Sequence, residues 1–171
     1  GKPTVFKGVH YLLEAIRKIK THIKFIFVLS PLYGKEKKEF SSLLKNDPTL
    51  KARIVLLENR ADSNYVAKLM AASDFVVMPS LTEGFGFVAA EAASIGIPTI
   101  VTTGTSLPEV VEKDRHAVFI KPRDSIELAR AIEGLAKNSE LRKKLSRPKI
   151  FKNWSEVAKE YEKVYQQITK N

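Results

Sequence analysis

Apolar and polar positions along the chain fall into two alternating kinds of segment. Five short runs are almost continuously apolar: Lys24–Ser30, Arg53–Leu57, Phe75–Pro79, Thr99–Thr102 and Ala117–Ile120. Each has the length of a strand, and near-continuous hydrophobicity suits a strand whose sheet is covered by helices on both faces. Between and after these runs, apolar residues recur at helical spacing over Val9–Lys20, Lys35–Lys45, Asn64–Ala72, Phe87–Ile95, Ser125–Lys137, Ser139–Leu145 and Ser155–Ile168. The alternation predicts an α/β fold, a single Rossmann-like three-layer domain with a mostly parallel sheet. No strand-like run precedes the first helix, although a doubly wound sheet places its first strand at the centre, beside the ligand crevice. Two expectations follow: either the chain begins just past that strand, or another segment fills its place.

Composition narrows this picture. At 171 residues the chain has room for one ordinary domain, and 44% hydrophobic with 28% charged residues describes a packed globule rather than a disordered chain. Cysteine is absent, which excludes disulfides, thiol nucleophiles and Cys-ligated metal centres and is compatible with a reducing cytoplasm. The apolar runs, such as Phe25–Leu29, are far shorter than the roughly 20 residues of a membrane-spanning helix.

The net charge of +10 is unevenly placed: residues 1–45 carry 10 basic and 3 acidic side chains, residues 46–136 carry 9 and 12, and residues 137–171 carry 10 and 4. Basic ends can meet nucleic acid or an anionic lipid surface. Here the basic tracts are interleaved with Ile, Leu and Glu, as on the solvated faces of amphipathic helices, and aromatic interleaving is thin, so nucleic-acid binding is not expected. The expected setting is cytoplasmic, with peripheral contact to an anionic membrane left open.

The stretch richest in chemistry is Pro79-Ser80-Leu81-Thr82-Glu83-Gly84-Phe85-Gly86-Phe87-Val88-Ala89-Ala90-Glu91-Ala92. It leaves the C-terminal end of a strand, passes through a glycine turn and enters an Ala-rich helix. Gly84 and Gly86 bring bare backbone N–H groups to a helix N-terminus, a setting that favours an anion such as a diphosphate. Glu91 lies one turn past Phe87, and Glu83 lies just ahead of the glycines; both carboxylates can accept hydrogen bonds from sugar hydroxyls. Gly84 to Ala89 also satisfies the dinucleotide pattern G-x-G-x-x-G/A, with Glu109 at about the distance of a ribose-binding acid. That pattern belongs in the tight turn after a first strand, whereas here at least two strand–helix units come first. His10, His22 and His116 are scattered and read as surface residues, and no metal-ligand cluster is visible.

The segment Pro79-Ser80…Glu83-Gly84-Phe85-Gly86…Glu91-Ala92…Gly96-Ile97-Pro98 resembles the E-x7-E region of group-1 retaining glycosyltransferases. These are built from two Rossmann domains (the GT-B type) and include glycogen, sucrose and trehalose-forming synthases. The resemblance runs along the chain. Gly1-Lys2…Lys7-Gly8 is similar to the family's G-R…K-G opening, Leu107-Pro108-Glu109-Val110-Val111 to its x-P-E-x-V element, and Trp154…Tyr161…Tyr165 to its closing helix. It implies a donor site. Lys2 and Lys7 would pair with the diphosphate of a nucleotide-sugar, Gly84, Phe85 and Gly86 would hold its oxygens through their amides, and Glu91 would bind the ribose. Glu83 would contact the donor sugar and, with Lys7, serve the transfer step, without a metal or other cofactor.

The resemblance covers only the family's C-terminal half. Residues 1–152 are expected to form the nucleotide-sugar-binding domain, and residues 153–171 a helix whose stripe Val157, Ala158, Tyr161, Val164, Tyr165 and Ile168 packs toward an N-terminal domain carrying the acceptor site. A non-catalytic partner subunit that completes an enzyme with another chain remains the alternative. Lys2 stands where the family has Arg, Thr105-Ser106 where it has glycines, and Ala117 where Gly is frequent.

Overall fold

The computed structural model describes residues 5–29, 34–58 and 62–169. After a short 3-10 turn over Val5–Lys7, the chain alternates helix and strand: α1 (Val9–Lys18), β1 (Phe25–Leu29), α2 (Gly34–Lys45), α3 (Pro48–Arg53), β2 (Ile54–Glu58), α4 (Ser63–Ala71) and β3 (Val76–Met78). It continues through α5 (Phe87–Ser94), β4 (Thr99–Thr102), α6 (Leu107–Val110), β5 (Ala117–Ile120), α7 (Ser125–Lys137), α8 (Ser139–Leu145) and α9 (Trp154–Ile168). All five expected strands form, within a residue or two of their expected ends.

Among the described residues every strand pairing is parallel. β1 pairs with β2, Phe25 opposite Ile54; β3, β4 and β5 form a second ladder, with Val76 opposite Thr99 and Thr99 opposite Ala117. Among the described residues no strand joins β1 to β3. In a doubly wound order the first strand separates these two positions, and the sequence likewise shows no strand-like run ahead of α1.

One core unites the two ladders. α1 buries Leu12, Leu13, Ala15 and Ile16, the face created by helical spacing, against Phe25, Phe27 and Leu29 of β1 and against Ile100 and Ile120 of the other ladder. Leu128, Ile132 and Leu135 of α7 complete this layer. A second cluster beneath α5 and α6 gathers Met78, Ala89, Ala93, Val101, Leu107 and Val111. β4 is buried at all four residues, as its central place requires, whereas β1 alternates and leaves Ile26 exposed beside the exposed Val55 of β2.

Three basic residues, Arg53 of the middle segment and Arg142 and Lys149 of the basic C-terminal end, serve the fold. The Arg53 guanidinium donates to the carbonyls of Ile16 and Ile19 at the end of α1, Arg142 to those of Leu135 and Ala136 near the end of α7, and the Lys149 ammonium to Val110 at the end of α6. Cations are favoured at such termini, where carbonyls lack partners and the helix dipole is negative. α9 differs from the other helices: a capping box between Asn153 and Glu156 starts it, but none of its residues is buried, and Trp154, Tyr161, Val164, Tyr165 and Ile168 stay exposed. No described helix is long and apolar enough to cross a membrane.

Candidate functional site

The site forms where the segment before α1 meets the segment after β3. The carbonyl of Phe6 accepts hydrogen bonds from the amides of Leu81 (2.8 Å) and Thr82 (3.3 Å). Gly8 lies so close to the end of β3 that a Cβ there would stand 1.8 Å from the carbonyl oxygen of Pro79, and its φ of +65° is one that L side chains rarely adopt. Only glycine permits this approach. It carries Lys7 to Glu83, 76 residues away in sequence, where Nζ donates to Oε2 at 2.6 Å.

The Glu83 side chain is 13% exposed and that of Lys7 43%, so the glutamate is largely sheltered while the lysine side chain is partly exposed and the contact between them is part-buried. The hydroxyl of buried Ser80 donates to the same Oε2 at 3.3 Å. Both contacts use one carboxylate oxygen, and the lysine ammonium has three donors. The pair thus has acceptor and donor capacity left for a ligand.

Gly86 starts α5 with φ +91°, and no side chain caps the helix. A Cβ at Gly86 would stand 2.5 Å from Leu107 Cδ2 of α6, so α6 braces the turn from below. Gly84 is exposed, with nothing within 4 Å of where its Cβ would be. Phe85 is 47% exposed and its ring meets that of Phe87 in a tilted contact, centroids 4.9 Å apart and planes at 51°. Glu91 is exposed on α5. Of the expected site residues, then, Lys7 and Glu83 are in direct contact, Gly84, Phe85 and Gly86 form the turn beside them, and Glu91 follows on the helix that the turn opens. Lys2 lies outside the described residues.

Sequence reasoning missed the supporting residues. Ser80, Thr102 and Ser106 place hydroxyls around the Glu83 segment, and no sequence pattern announces contacts between such distant residues. Gly8 was visible as the glycine after Lys7, but not its closeness to Pro79. His116 corrects an expectation: it is 1% exposed, not on the surface. Its Nδ1 accepts from the Glu112 amide at 3.4 Å while Nε2 has no partner among the described residues. Burial pushes its pKa below the usual value, with Arg115, Lys149 and Arg147 acting the same way and Glu112 opposing. Glu109 lies on α6 rather than at a strand end, so the dinucleotide pattern lacks its acidic partner.

Comparison with known proteins shows the family and the fold. An uncharacterized glycosyltransferase of Methanocaldococcus jannaschii is 32% identical over 168 residues, which cover 95% of this chain and 45% of the relative. Sucrose-phosphate synthase from Thermosynechococcus elongatus shares the fold with a TM-score of 0.78 at 23% identity, covering 99% of this chain and 44% of that one. Anabaena HepE, solved in complex with UDP-glucose, superposes with a TM-score of 0.74 at 27% identity, over 85% of this chain and 40% of that one. The chain thus spans less than half the length of each of these three proteins. Because residues 4–149 match the family of glycosyl transferases group 1, and the turn between β3 and α5 lies inside that match, the chain belongs to that family.

Proposed function

We propose that this chain is the nucleotide-sugar-binding part of a retaining glycosyltransferase. The observation that carries the reading is the Lys7–Glu83 pair, set beside the glycine turn at the uncapped start of α5. A helix N-terminus and a partly exposed lysine together favour a diphosphate. Lys7, joined by Lys2, takes the diphosphate, and the amides from Gly84 through Gly86 take its oxygens. The free oxygen of Glu83 accepts hydroxyls of the donor sugar, and Glu91 those of the ribose. A uridine diphosphate hexose is the donor class to try first, since HepE has been solved with UDP-glucose.

In transfer, negative charge builds on the departing diphosphate oxygen. Fixed ammonium groups and helix amides aimed there lower the barrier without reorganising as it forms. The proposal assigns this task to Lys2, Lys7 and the turn, with no metal or other cofactor. The acceptor site belongs to another domain, toward which the apolar face of α9 packs, so the chain alone transfers little or no sugar. Its setting is cytoplasmic, and the basic C-terminal segment allows peripheral contact with an anionic membrane.

Calorimetric titration with UDP, ADP and GDP tests the binding half. One of the three should bind, and Glu91→Ala should weaken it by about tenfold or more, the loss of hydrogen bonds to a charged group. No heat with any nucleotide would sink the reading.

A further inference from the structure

We infer that Ser106 is a positioning residue of the donor site, holding the Glu83–Gly84 peptide in the orientation that the ligand meets. The inference rests on the donor-site reading above and deepens it. Ser106 occupies the cap position of α6, a place where serine ordinarily accepts from the helix's own amides, yet its side chain makes no such bond. Its hydroxyl donates outward instead, to the carbonyl oxygen of Glu83 at 3.1 Å. Thr105 takes over the local task, accepting from the Leu107 amide at 3.2 Å and donating to the Thr102 carbonyl at 3.3 Å.

The remaining hydroxyls close a circuit. Thr102 Oγ1 donates to the carbonyl of Ser80, and Ser80 Oγ donates to the Glu83 carboxylate. Glu83 is therefore held at both ends, its carboxylate by Ser80 and Lys7 and its main chain by Ser106. Holding that carbonyl also sets the next amide. In a planar trans peptide the C=O and N–H point in opposite directions, so with the Glu83 oxygen turned toward Ser106, the Gly84 N–H is turned away from α6. Gly84 is exposed with open space around it and has no side-chain packing to hold this orientation. The Ser106 hydroxyl supplies the restraint.

Ser106→Ala removes the restraint and Ser106→Thr retains a hydroxyl. In the alanine variant, affinity for UDP-glucose should fall about fivefold, the worth of one net hydrogen bond. Affinity for uridine monophosphate, which lacks both the second phosphate and the glucose, should change less than twofold. The threonine variant should return UDP-glucose affinity to within twofold of wild type. Nitrogen-15 relaxation reads the restraint without ligand: the Gly84 order parameter should fall from about 0.85 in the wild type to below about 0.6 in the alanine variant, with thermal melting confirming that all three proteins fold. Wild-type binding with unchanged Gly84 relaxation and unchanged UDP-glucose affinity in Ser106→Ala would overturn this inference and leave the donor-site reading standing. Failure of the wild type to bind UDP-glucose or any nucleotide would overturn both.

Discussion

Replacing Gly8 by alanine perturbs the site at the point where the two segments touch. The new Cβ would stand 1.8 Å from the Pro79 carbonyl oxygen and 2.8 Å from its carbon, at a φ of +65°. The backbone conformation alone costs about 1–2 kcal/mol for an L residue. Forcing a methyl group against main chain at the end of a buried strand adds about 1–3 kcal/mol. The total, about 2–5 kcal/mol, is a large share of a typical domain's 5–15 kcal/mol. For a chain of this size it lowers the melting temperature by roughly 4–20 °C. Gly104 supplies the control, because its φ is +75° but nothing lies within 4 Å of its Cβ position, so Gly104→Ala bears only the backbone cost. Melting followed by circular dichroism compares the two, and titration with UDP reads whether Lys7 still reaches the site. Gly8→Ala should melt lower than Gly104→Ala and bind UDP about tenfold or more weakly. Equal melting temperatures and unchanged UDP affinity would refute the argument that this contact places Lys7.

Three further outcomes follow from named contacts. Glu83→Gln keeps the side chain's shape and removes its charge, so UDP-glucose should bind about tenfold or more weakly while UDP alone binds as well as before; titration of both ligands checks the split. His116 has a pKa below its ordinary value because it is buried, so the unfolded chain takes up a proton first as pH falls below about 6.5. Stability should be full above that pH and decline toward acid, and His116→Gln should flatten melting temperature measured from pH 7.5 to 5. Glu133 is held below the usual carboxylate range, first by the Lys20 amide, then by the amide and hydroxyl of Thr21. Its contribution is present above the ordinary glutamate pKa and lost as pH falls through the folded value, so Glu133→Gln should narrow the gap in melting temperature between pH 7 and pH 3.

What could be read from the sequence was what depends on local pattern. The strand runs and long helices are set by periodicity, and Thr99–Thr102, Ala117–Ile120 and Ser125–Lys137 lie where that pattern puts them. α3 escaped because it has only six residues, although its start was written in Asp47 and Pro48: the carboxylate accepts from the Leu50 amide and proline opens the helix. α6, at four residues, is too short to show a period. The glycine turn and its flanking glutamates were legible because strand, turn and helix are contiguous. Contacts between distant residues were not. Nothing in the local sequence couples Gly8 to Pro79 or Ser106 to Glu83, and a buried histidine such as His116 looks the same in sequence as the exposed His10 and His22.

The basic ends resolve in part. Arg142 and Lys149 of the C-terminal end satisfy helix carbonyls, and Lys7 of the N-terminal end pairs with Glu83, so part of the charge that suggested an anionic surface has an internal partner. Lys143 and Lys144 of α8 and Lys159 and Lys163 of α9 stay exposed.

The central claim is that one site, built by Lys7, the turn from Glu83 to Gly86 and the start of α5, binds a nucleoside diphosphate. The most direct measurement is a two-dimensional amide and methyl nuclear magnetic resonance titration of the chain with UDP, ADP and GDP in turn. With the nucleotide that binds, the account predicts shifts concentrated at Lys7, Gly84, Phe85, Gly86, Phe87, Val88 and Glu91, saturating together with one dissociation constant. Absence of any shift with all three, or shifts confined to the basic stretch of α8 and the segment leading to α9, would contradict it.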